Sequence, residues 1–82
     1  MLKKRSITLS GHPTSLALEP EFWAALDAIA EAERASLAAL IGRIDQARAE
    51  RPLASACRVA ALTWALAGAG AQEATGARAA AS

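Results

Sequence analysis

The stretch Lys4-Arg5-Ser6-Ile7-Thr8-Leu9-Ser10-Gly11-His12-Pro13-Thr14-Ser15-Leu16-Ala17-Leu18-Glu19-Pro20-Glu21-Phe22-Trp23 contains the changes of rhythm that decide the fold. Residues 6–9 alternate polar and apolar side chains. Residues 14–18 do the same and put Leu16 and Leu18 on one face. Period two with β-branched residues predicts two short strands, and Ser10-Gly11-His12-Pro13 between them predicts a turn. The period then lengthens. Pro20 suits the first turn of a helix, and Glu19 and Glu21 bring negative charge to the positive end of its dipole. Phe22, Trp23, Leu26, Ile29 and Ala30 recur at helical spacing, which predicts a first helix over 20–33.

Further along, Arg34-Ala35 is a short break and Ser36 is a good N-cap. Leu37, Leu40, Ile41, Ile44 and Arg48 predict a second helix over 36–50. Gly42 weakens it by about 1 kcal/mol relative to alanine. Pro52 ends that segment. A third helix is predicted over 53–67, with Leu53, Ala56, Val59, Ala60, Thr63 and Leu66 along one face and Trp64 beside it. Gly68 and Gly70 are its expected stop. Residues 68–82 carry no large apolar side chain and read as a flexible Ala/Gly-rich tail. The chain thus divides into a basic arm or extra strand over 1–12, a helical domain over 13–67 and that tail.

With 82 residues there is room for one small domain. Its 54% hydrophobic content is mostly alanine, so large apolar side chains are few. Such a core barely offsets chain entropy, and self-association is the expected support. Cys57 is the only cysteine, so no internal disulfide can form, which suits a reducing cytoplasm. One histidine and one cysteine do not make a zinc site, and neither a metal nor another cofactor is expected. No signal peptide or membrane span is read from the sequence. The net charge of +1 is small, but Lys3, Lys4 and Arg5 cluster, and local fields can outweigh a near-zero total.

The residues quoted above resemble a bacterial ribbon-helix-helix subfamily whose members look like K-R-S-V-T-L-S-G-H-x-T-S-V-x-L-E-x-x-F-W. Ser36-Leu37-Ala38-Ala39-Leu40-Ile41 and Leu53-Ala54-Ser55-Ala56-Cys57-Arg58-Val59 also resemble it, so the similarity covers roughly 4–66. It implies a mainly α fold with a short β element, a homodimer in which one strand of each chain pairs into a ribbon over interlocked helices. An added N-terminal strand or arm and a third helix complete it here. The implied shared core is Leu16, Leu18, Phe22, Trp23, Leu26, Leu40, Ile41 and Ile44. The implied outward face is Pro13, Ser15 and Ala17, which in DNA-binding relatives enters the major groove. The implied phosphate site is the N-terminus of the second helix at Ser36 and Leu37.

Function follows as expectation. Lys3, Lys4 and Arg5 are either a phosphate-binding arm or a solubilising terminus. Of Pro13, Ser15 and Ala17, only Ser15 can hydrogen-bond a base edge. An extra strand over 5–9 can itself face DNA, with Arg5, Ser6 and Thr8 outward, or it can pair with 14–18 and hide Ser15. In the first case the chain is a dimeric DNA-binding regulator of double-stranded DNA. In the second it is a protein-interaction module, antitoxin-like or an adaptor. His12 is expected in the turn and Cys57 as a small buried hydrophobe. Phe22, Trp23 and Trp64 read as core or dimer contacts. Glu19, Glu21, Asp27, Glu31 and Glu33 read as a hydrated helix face, and Arg43, Arg48, Arg51 and Arg58 as solvated residues or ion pairs. No catalytic constellation is present, so an enzyme is not expected.

Overall fold

A computed structural model describes the backbone of residues 1–81 and the side chains through Gly68. It has two antiparallel strands followed by three helices: β1 (Lys3–Leu9), β2 (His12–Leu18), α1 (Pro20–Ala32), α2 (Leu37–Ala47) and α3 (Leu53–Ala81). The mainly helical fold with a short hairpin matches the expected class.

The hairpin is longer than the alternation predicted, because its turn is only two residues. Ser10 and Gly11 both adopt positive φ, 51° and 80°. Two consecutive left-handed residues make the type of turn whose twist matches the flanking strands. His12 and Pro13 are therefore strand residues, not turn residues, and His12 is paired with Leu9. The register runs from Lys3 opposite Leu18 through Ser6 opposite Ser15 to Thr8 opposite Pro13. A two-residue turn makes Leu9 and His12 a hydrogen-bonded pair, so Pro13 falls at a non-hydrogen-bonded pair. Its missing N–H points to the free edge of β2 and costs the ladder nothing.

α1 begins at Pro20, as expected, and ends in a Schellman motif. The Ala35 N–H donates to the Ala30 carbonyl (2.9 Å) and the Arg34 N–H to the Glu31 carbonyl (3.1 Å). Arg34 takes the left-handed position there, with φ 54°. Ser36 then caps α2, its Oγ accepting from the Ala39 N–H at 3.0 Å. α2 stops at Ala47, three residues before the predicted end. Ala49 is left-handed (φ 56°), and the Arg48 side chain donates to the Arg51 carbonyl at 2.8 Å, so the chain turns before reaching Pro52.

α3 departs most from expectation. Its bounds run past Gly68 and Gly70, since glycine among good helix formers weakens a helix without breaking it. The tail expected over 68–82 falls, beyond Gly68, on residues outside the described side chains. The core-facing side is also different. Ala56, Cys57 and Ala61 are buried, whereas Val59 and Leu66, read from the sequence as sharing one face with Ala56, are exposed. Small side chains let α3 approach the rest of the fold closely, and the large ones are left outside.

The core lies beneath one face of the hairpin. Ile7, Leu9, Leu16 and Leu18 from the strands meet Trp23, Leu26 and Ile29 of α1, Leu40 and Ile41 of α2 and Cys57 and Ala61 of α3. Of the side chains expected in a core shared by two copies, Leu16, Leu18, Trp23, Leu26, Leu40 and Ile41 are already enclosed within one chain. Phe22 and Ile44 are partly buried at its margin.

Candidate nucleic-acid interface

The two faces of the hairpin are chemically opposite. Strand alternation puts Ile7, Leu9, Leu16 and Leu18 inward. It puts Lys4, Ser6 and Thr8 of β1 on the outer face with Pro13, Ser15 and Ala17 of β2. All but the half-buried Ala17 are exposed. The N-terminal strand does pair with the second, one of the two arrangements left open by the sequence, but residues 5–9 lie opposite 12–16 and the pairing is edge to edge. It leaves Ser15 uncovered, and Ser6 stands directly across from it.

Arg5 corrects the expectation of an outward Arg5, Ser6 and Thr8. Adjacent strand residues point to opposite faces, so Arg5 cannot share a face with Ser6. Its guanidinium lies 4.5 Å from the centroid of the Trp23 ring and 3.2 Å from the Asp27 carboxylate. Trp23 in turn donates from Nε1 to the Lys3 carbonyl at 2.8 Å. The expected basic arm is thus a strand pinned to α1. Its three cations diverge: Arg5 is engaged at the surface by Trp23 and Asp27 of α1, Lys4 is on the outer face, and Lys3 is on the inward-parity edge, exposed. Among the described residues, neither lysine is ion-paired. A recess of about 410 Å³ between β1 and α1 is bordered by Lys3, Lys4, Pro20 and Trp23, with Asp27 offsetting the charge of Arg5 on its wall.

At the start of α2 the first-turn N–H groups of Leu37 and Ala38 have no partner within the helix, since the Ser36 hydroxyl serves only Ala39. Ser36 is exposed and Leu37 half-buried. The first turn carries no acidic residue, so nothing there repels an anion.

The other polar groups are structural. Arg58 reaches the Glu19 carboxylate at 2.8 Å and lies 5.8 Å from the Phe22 ring, tying α3 to the start of α1. The Glu19 carboxyl is held below its ordinary value, first by its own backbone and then by Arg58. Arg43 pairs with Glu33, and Arg48 with Asp45. The acidic face of α1 is therefore partly neutralised rather than simply hydrated. Cys57 is buried, and that burial pushes its thiol up to about 11, with the Asp45 charge adding to the effect; it is not a poised nucleophile. Among the described residues no cluster of metal-ligating side chains occurs, and no helix is long and apolar enough to cross a membrane.

A family model described as Ribbon-helix-helix domain matches residues 2–65. The chain belongs to the ribbon-helix-helix family. That span takes in β1 as well as β2, so the added strand is part of the ribbon-helix-helix match and not an appendage to it. The family is typically one of non-enzymatic DNA-binding proteins, regulators and antitoxins, that generally act as homodimers. No curated protein and no solved structure matches the chain.

Sequence reading turned Ser6 and Thr8 outward, as they are found beside Ser15, but wrongly placed Arg5 with them. Parity alone held that signal. The Trp23–Lys3 hydrogen bond had no signal, because it joins a side chain to a backbone carbonyl 20 positions away.

Proposed function

We propose that this ribbon-helix-helix protein is a transcriptional regulator that binds double-stranded DNA as a homodimer, in a reducing compartment such as the bacterial cytoplasm. The observation that supports it best is the open outer face of the hairpin, with Lys4, Ser6, Thr8 and Ser15 exposed on two paired strands. The major groove is about 12 Å wide and admits a two-stranded ribbon. A hairpin of one chain spans a single strand spacing of about 4.8 Å and fits that groove. A sheet of four strands, formed if two copies paired through β2, spans three spacings of about 4.8 Å and is too broad to enter. Each chain therefore offers its own ribbon.

Roles divide by chemistry. Ser6, Thr8 and Ser15 donate to or accept from base edges, and hydroxyls discriminate bases weakly, so sequence preference is modest. Ala17 contributes apolar contact. Lys4 and Lys3 neutralise phosphates, and the free N–H groups at Leu37 and Ala38, next to Ser36, hold another. The second reading, an antitoxin-like or adaptor interaction module, called for a ribbon covered by the N-terminal strand, and the exposed Ser15 favours DNA over it.

The test is binding of a labelled duplex of random sequence over a range of salt. Affinity should fall steeply and linearly on logarithmic axes, because neutralised phosphates release counterions. An affinity unchanged between low and moderate salt would rule the reading out.

A further inference from the structure

The recess between β1 and α1 joins two chemistries. Its α1 wall is Pro20, Trp23, Ala24 and Asp27. These recur at i, i+3, i+4 and i+7 and so share one face of the helix. Its β1 wall is Lys3, Lys4 and Arg5. Three cations against one carboxylate leave the site with an excess of two positive charges. Its volume of about 410 Å³ lies within the range of small-molecule sites, about 300–1,000 Å³.

Part of this wall is a stack that is already assembled. Arg5 lies over the Trp23 ring at 4.5 Å, and both Asp27 carboxylate oxygens hold its guanidinium, at 3.2 to 3.4 Å. The ring is itself fixed by its hydrogen bond to the Lys3 carbonyl. Trp23 covers one face of the guanidinium. The Arg5 side chain is still 42% exposed where it borders the recess, which leaves the other face for a second planar group. Beside it, Lys3 and Lys4 have no ion-pair partner among the described residues. Pro20 and Ala24 add exposed apolar surface one turn apart.

We propose that this recess binds a small organic dianion with a flat apolar body. The body stacks on Arg5 against Pro20 and Ala24, and Lys3 and Lys4 take the two negative charges. The charge excess selects a dianion. The planar guanidinium and the two apolar side chains select a flat body over a bare ion, which would leave them unused. A phosphate of a duplex brings no such body into a concave site. The regulatory consequence rests on the DNA-binding reading above, because that reading assigns the same two lysines to phosphates. Ligand and duplex then exclude one another, and the ligand acts as an inducer.

The experiment is calorimetric titration of the full chain without DNA, in mildly alkaline buffer at constant ionic strength. The probes are phthalate, a flat dianion, and inorganic phosphate, a dianion without an apolar body. Phthalate should bind about 10-fold tighter than phosphate or better, and Lys3→Ala should weaken it about 10-fold, the worth of one charge-assisted hydrogen bond. Ala24→Trp fills the recess and keeps every cation, so it should abolish phthalate binding. Arg51→Ala removes a cation that does not border the recess and should change nothing. Lys3, Ala24 and Arg51 are exposed, so each variant keeps its helix content by circular dichroism. Should A24W lose it, Ala24→Leu takes its place. Phthalate that binds no tighter than phosphate, or that binds A24W as well as the wild type, would overturn the proposal. Saturating phthalate should also weaken duplex binding by the wild type and leave that of A24W unchanged. A wild-type duplex affinity that ignores bound phthalate would sink the inducer role. A chain that binds no duplex even without phthalate would count against the DNA-binding reading alone, and the calorimetry would still decide the recess.

Discussion

The guanidinium of Arg5 stacks 4.5 Å from the centroid of the Trp23 ring, and the same indole donates to the backbone of the strand that carries Arg5. One aromatic side chain thereby fixes both the position of β1 and the direction of its charges. Trp23→Phe keeps a ring but removes the donor to Lys3. We expect a loss of about 1 kcal/mol, the net worth of one partly buried hydrogen bond, plus a small packing term. For a domain of this size that lowers Tm by roughly 4–8 °C. Thermal unfolding checks it, and an unchanged Tm would show that the bond contributes nothing.

Because Arg5 faces inward and Lys4 outward, equal charge removals should act differently. Lys4→Ala should weaken binding to all duplexes alike and make the salt slope shallower by about 1, the value for one phosphate contact. Arg5→Ala should leave the slope unchanged and lower stability slightly, since its ion pair with Asp27 is exposed. Titrations of both variants at several salt concentrations decide it. Equal slopes for the two would mean that the hairpin does not present its outer face to DNA.

Ser36 allows cap and phosphate site to be separated. Ser36→Ala should destabilise the fold by about 1 kcal/mol through loss of the N-cap. Ser36→Asp preserves a capping oxygen and should keep stability near the wild-type value. Its negative charge beside the Leu37 N–H should still reduce affinity for DNA severalfold. Denaturant curves and duplex titrations on the same two proteins give both readouts, and undiminished DNA affinity in S36D would remove the α2 N-terminus from the interface.

Ala49 adopts φ 56°, a conformation that strains an L-residue by about 1–2 kcal/mol and glycine hardly at all. Ala49→Gly should therefore stabilise the protein, by about 0.5–1 kcal/mol after the extra entropy of glycine in the unfolded chain is counted. A lower denaturation midpoint in the variant would contradict the strained turn that ends α2 early.

The Glu19 carboxyl is depressed by its own backbone and by Arg58. A depressed carboxyl adds stability above its unfolded value, and that stability is lost as pH falls through the folded one. Glu19→Gln should accordingly be less stable than the wild type at neutral pH, with the gap closing in acid. Thermal scans across that range test it. A gap that is constant with pH would show that Glu19 acts without its charge.

The amino-acid sequence by itself determined the order of elements. The alternation around Leu16 and Leu18, Pro20 at a helix start and the capping of α2 by Ser36 depend on residues near one another in the chain, so local rules sufficed. Strand parity likewise held which residues share the outer face, although the expectation wrongly included Arg5. What only the tertiary structure decided were matters of distance along the chain and of packing. Trp23 fixes Lys3, Asp27 draws Arg5 inward, and α3 meets its own core through Ala56, Cys57 and Ala61 while Val59, Leu62 and Leu66 stay outside. Helical periodicity marks a face by the size of its apolar residues. How closely two helices approach is set by the partner, and a close approach chooses the small ones.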